Sequence, residues 1–122
     1  MSSIWIAAGA FVSALSIAAG AFGAHGLAAR LDERGLALWE TSARYLIYSG
    51  LGLILLGVVA RGDESRGFDL VGGMLLVGSV IFSGTVAVLA LGGPRWLGAV
   101  TPIGGVLMIL GFVTFGWLAL KS

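Results

Sequence analysis

L-V-G-G-M-L-L-V-G-S-V-I-F-S-G-T-V-A-V-L-A-L, Leu70 to Leu91, is a run of 22 residues without a charge. Wound as a helix at about 1.5 Å per residue it is about 33 Å long, enough to cross the roughly 30 Å hydrocarbon core of a bilayer. Its apolar residues leave no polar stripe to face water, so the run reads as a membrane span.

Working outward, the same reading recurs. Ile4 to Ala24 is uncharged and makes a first span. A cleavable signal peptide is its competitor, with Ala19 and Ala21 at the small positions of a cleavage site, but Met1 to Trp5 carries no Lys or Arg. Trp96 to Leu120 is a further uncharged run. Tyr45 to Ala60 gives only about 24 Å of helix, so this span must start earlier, near Asp32 or Glu33, with Trp39, Glu40 and Arg44 in its first turns near the interface. The spans are placed at about residues 4–24, 39–60, 70–91 and 97–120 of a single transmembrane domain covering 1–122.

Composition agrees. Of 122 residues, 58% are apolar and only 11% charged, with a mean hydropathy of +1.05, which excludes an ordinary soluble domain. A net charge of +1 provides no basic stripe for nucleic acid. The absence of cysteine removes disulfides, thiolate metal sites and cysteine nucleophiles.

The connectors Arg61 to Asp69 and Gly92 to Arg95 are short, polar and marked by Gly or Pro, which forces consecutive helices to run antiparallel. The first connector, His25 to about Leu38, mixes Leu27, Leu31, Leu38 and Trp39 with charges and reads as a short interfacial segment. The expected fold is therefore an all-α integral membrane protein, a four-helix antiparallel transmembrane bundle with an interfacial segment after its first helix. Arg61, Arg66 and Lys121 fall on one side of the membrane and Arg30, Arg34, Arg44 and Arg95 on the other, so basic residues do not set an orientation. A partner, a weak preference or insertion both ways remain open. No two of the 21 glycines stand four apart, and the small-residue ladder in view is Ser16, Gly20, Ala24, read as packing within the bundle.

Five residues are candidates for function: His25, Glu40, Arg44, Tyr48 and Pro102. His25, in G-A-H-G, is either a proton shuttle or ligand at the membrane surface, or a helix C-cap; no second histidine completes a metal pair, which favours the cap. Glu40 and Arg44 stand one turn apart with the acid first, the order that suits an ion pair, and Tyr48 continues their face. At the headgroups they are an anchor; below them they are a candidate ion or proton route. Sixteen uncharged residues follow, which favours the anchor. Ser79 and the hydroxyls of F-S-G-T, Phe82 to Thr85, are read as packing groups. Pro102, in T-P-I-G-G, marks a kink or weakened turn, read as packing rather than a broken transporter helix. No catalytic residue, cofactor or metal site is assigned.

A-F-G-A-H-G at Ala21 to Gly26, R-Y-L-I-Y at Arg44 to Tyr48, F-S-G-T, L-A-L at Leu89 to Leu91 and T-P-I-G-G at Thr101 to Gly105 follow one another in an order that resembles the YgdD-like membrane proteins, the domain of unknown function 423 family, whose eukaryotic relatives are called transmembrane protein 256. The resemblance covers nearly the whole chain. It implies four spans and a bacterial cytoplasmic (inner) membrane, but no reaction. It also implies a second histidine after the Tyr-x-x-Tyr segment, where this chain has Ser49, which weakens any histidine-pair mechanism. Basic C-terminal tails in the family imply cytoplasmic termini, and here only Lys121 remains of such a tail.

The reading that follows is a non-enzymatic structural or accessory subunit of a membrane complex. Its expected partners are the lipid bilayer and other membrane-protein subunits or itself, with no nucleic acid. The alternative is a small homo-oligomeric transporter or channel component moving ions or protons.

Overall fold

The computed structural model describes residues 2–62 and 67–121. Residues 63–66 of the second connector, Arg66 among them, lie outside the described residues. Four α-helices carry the chain: α1 (Ser2–Phe22), α2 (Glu33–Ala60), α3 (Phe68–Ala90) and α4 (Leu97–Leu120). A π-helical turn, Gly23–Leu27, extends α1. All four are long and apolar enough to cross a membrane.

The ends of the helices follow from local chemistry. Asp32 caps α2, its carboxylate accepting the Gly35 N–H at 2.8 Å. Helix α2 thus begins at Glu33, and the interfacial segment is shorter than the sequence suggests, confined to residues 28–32 between the π turn and the cap. At the end of α3, Gly92 takes φ +91°, the left-handed conformation that glycine adopts without penalty. The Gly93 N–H then reaches the Val88 carbonyl at 2.8 Å and the Gly92 N–H the Leu89 carbonyl at 3.1 Å, the Schellman pattern that closes a helix, with Pro94 following. Helix α4 runs unbroken through Pro102, so the weakened turn expected there does not interrupt it.

Helix α1 packs on α2, α2 on α3 and α3 on α4. Small residues let the backbones approach, and their spacing is seven rather than four. Ser2, Gly9, Ser16 and Gly23 are buried at successive heptads along α1 and its π turn, facing Ala43, Gly50 and Gly57 on α2. A repeat of seven keeps a seam facing its partner along a left-handed crossing. A side chain at Gly9 would stand 2.5 Å from the Gly50 carbonyl oxygen. Gly78 and Gly104 make the corresponding close approach between α3 and α4. The ladder read from the sequence is different: Ser16 packs, but Gly20 faces open space.

The core lies between α2 and α3, nearer the end that holds both termini. Leu53, Leu56, Val71 and Leu75 are fully buried, with Trp5, Ala60 and Phe68 around them. Trp5 lies against Gly72 and its indole N–H donates to the Asp69 carboxylate at 2.7 Å, tying α1 to the start of α3. Helices α1 and α4 are the outer pair, with few buried residues.

Candidate functional site

Trp39 shapes the end of α1. Its indole N–H donates to the Ala19 carbonyl at 2.7 Å, the acceptor that Gly23 N–H uses in a regular α-helix, and the π register starts at Gly23. Only glycine fits there, since a Cβ would stand 2.5 Å from the indole ring. A side chain that enters the backbone ladder is a common cause of such a bulge. The turn presents His25 to the surface, and among the described residues its imidazole makes no hydrogen bond.

Hydroxyls set the register of the neighbouring helices. Ser42 donates to the Ser83 carbonyl at 2.7 Å and Ser83 to the Ser42 carbonyl at 2.9 Å. Ser16 donates to the Ala43 carbonyl at 2.5 Å, and the hydroxyls of Thr85 and Thr101 lie 2.6 Å apart between α3 and α4. Such bonds contribute about 0.6 kcal/mol each in a membrane, modest in energy but specific in alignment.

With Ser42 level with Ser83 in antiparallel helices, Arg44 is level with Ile81 and Glu40 with Thr85. Ile81 lies about 15 Å along α3 from Leu91 and about 16 Å from Leu70. The Arg44 backbone is therefore level with the middle of the uncharged run, and that of Glu40 about 9 Å inside its end. Both side chains are exposed on one face of α2, and no ion pair joins them. Tyr48 continues the face, half exposed, with its ring edge-on to Tyr45 at 5.2 Å.

The five candidate residues do not converge. Glu40 lines, with Glu33, Gly23, Ala24 and Ala28, a cleft of about 340 Å³ between the π turn and α2. Tyr48 lines a separate groove of about 430 Å³ with Tyr45, Phe82 and residues of α4. Pro102 is exposed on α4, and His25 lines neither cavity. Among the described residues no three His, Asp or Glu side chains gather as a metal site. Ser49, at the position where the resemblance implies a second histidine, is fully buried, and its hydroxyl has no hydrogen-bond partner. It lies about 10 Å deeper along α2 than Ser42, whereas His25 is at the surface end, so the two positions share no site.

Sequence reasoning passed over Trp39 as an interfacial anchor and did not single out Ser42 or the Trp5–Asp69 bond. A tryptophan seven residues past a helix cap was the one available signal.

Residues 19–105 match the family described as "Protein of unknown function (DUF423)". The chain is 44% identical over 110 residues to a UPF0382 membrane protein of Staphylococcus haemolyticus, covering 90% of this chain and 89% of that one. It is 41% identical over 118 residues to a UPF0382 membrane protein of Staphylococcus epidermidis, covering 97% and 96%. A third relative, from Staphylococcus saprophyticus, is 43% identical over 110 residues, covering 90% and 91%. No solved structure matches the chain.

Proposed function

The chain belongs to the DUF423 family of bacterial integral membrane proteins of the cytoplasmic (inner) membrane, and we propose that it serves as a non-enzymatic structural or accessory subunit, docking through its helix faces on other membrane-protein subunits or on itself. The observation that carries this reading is the placement of glycines. Gly9, Gly50, Gly57, Gly78 and Gly104 serve contacts inside the fold, but Gly20, Gly73, Gly84 and Gly116 have open space where a side chain would stand. In lipid, small residues turned outward are what a neighbouring helix needs in order to approach closely.

The transporter reading draws support from the depth of Glu40 and Arg44, since charge at that level is associated with ion routes. The interior between α2 and α3 supports the structural reading instead: toward the end that holds both termini Leu53, Leu56, Val71 and Leu75 fill it, and at the level of Glu40 and Arg44 the Ser42 and Ser83 hydroxyls are spent on each other's backbone carbonyls.

Gentle extraction at native expression level, followed by size separation, tests the proposal. Migration at fixed stoichiometry in an assembly larger than one chain is expected. Migration without any other protein, together with ion flux in proteoliposomes that is lost in His25→Ala and Glu40→Gln, would replace it with the small homo-oligomeric transporter.

A further inference from the structure

The charged face of α2 narrows what the partner can be. Among the described residues Glu40 and Arg44 have no ion-pair partner; both are exposed and level with the apolar run of α3, where an uncompensated charge is costly. Helical side chains tilt toward the helix N-terminus, so Arg44 can reach back about one turn, about 5.4 Å. That brings its guanidinium to the level of Glu40 and still short of the end of α3, beyond reach of the headgroups. A surface that covers this face must offer a base opposite Glu40 and an acid opposite Arg44, one turn apart.

The chain itself carries that pattern. In an interface with two-fold symmetry the same patch meets itself, so residue i touches j and j touches i. Two α2 helices, parallel about an axis normal to the bilayer, keep equivalent residues level, so the Arg44 guanidinium of each copy, reaching back one turn, comes to the level of the Glu40 carboxylate of the other, a pair that guanidinium and carboxylate can make as a charge-assisted hydrogen bond. Ala37, exposed and two turns before Arg44, leaves the approach open, and Tyr48 bounds the patch on its deep side. We propose that the Glu40–Arg44–Tyr48 face of α2 is a self-association surface, on which Glu40 of one copy pairs with Arg44 of a second copy and Arg44 with its Glu40. This rests on the reading of the chain as an assembling subunit and names the partner as the chain itself.

Because the chain has no cysteine, Ala37→Cys provides a cross-link reporter without background. In bilayers this parent forms a disulfide-linked dimer. Adding Glu40→Arg makes the patch wholly basic, and adding Arg44→Glu makes it wholly acidic. Each alone loses cross-linking by about tenfold, because like charges then meet across the axis. Co-expressed with different tags, the two cross-link with each other at close to the parental yield, which also shows that both fold. A parent that does not cross-link, single variants that cross-link like the parent, or a mixture no better than the single variants would each overturn the proposal, the last by placing the pair within one chain. Failure here together with native co-migration with a different membrane protein leaves the structural reading intact; migration as a lone chain removes both.

Discussion

At the scale of single residues, glycine identity matters by position and not by number. Gly9 and Gly20 belong to the same helix, yet a side chain at the first would collide with the backbone of α2 and at the second would meet open space. Gly9→Val is expected to lower unfolding free energy by about 2 kcal/mol, the usual scale of overpacking. Gly20→Val is expected to stay within about 0.5 kcal/mol, as for surface substitutions. Reversible unfolding in micelles measures both, and equal losses would contradict the seven-residue seam. The two residues look alike in the sequence because periodicity shows which residues can face a neighbour but not which neighbour is there.

Among elements, α2 is the one on which the others are organised. Its register with α1 is held by Ser16 and Trp39 and with α3 by the Ser42–Ser83 exchange, all through backbone carbonyls. Trp39→Phe keeps the ring against Gly23 and removes only the indole donor. It is expected to destabilise by about 1 kcal/mol, the net worth of a hydrogen bond, and to speed amide exchange across Gly23–Leu27 while leaving α2 beyond Ser42 unchanged. Unaltered exchange in the π turn would show that Trp39 does not hold it. That the chain makes four long apolar helices was legible, since uncharged runs and connector residues act locally. The π turn was not, because its cause lies on a different helix.

For the whole molecule, the packing in chain order makes two hairpins joined along α2 and α3. The face between them holds the fully buried Leu53, Leu56, Val71 and Leu75. Fragments spanning residues 1–62 and 67–122, expressed separately in the same membrane, are therefore expected to co-purify. Leu75→Ala, which opens a cavity worth about 2–5 kcal/mol, should abolish their recovery. Fragments that never associate would mean that the covalent connection, and not the interface, holds the halves together. The outer helices α1 and α4 bury few residues and leave most of their surface exposed.

The membrane, the four spans and their antiparallel order were determined by the sequence alone, because lipid leaves a long uncharged segment no option but a helix that satisfies its own backbone, and short connectors no option but to reverse it. The depth of Glu40 and Arg44 was not. Counting uncharged residues after them suggested an anchor, whereas their level depends on how α2 slides against α3. That slide is set by Ser42 and Ser83, which exchange hydrogen bonds with each other's backbone carbonyls from about forty residues apart in the chain.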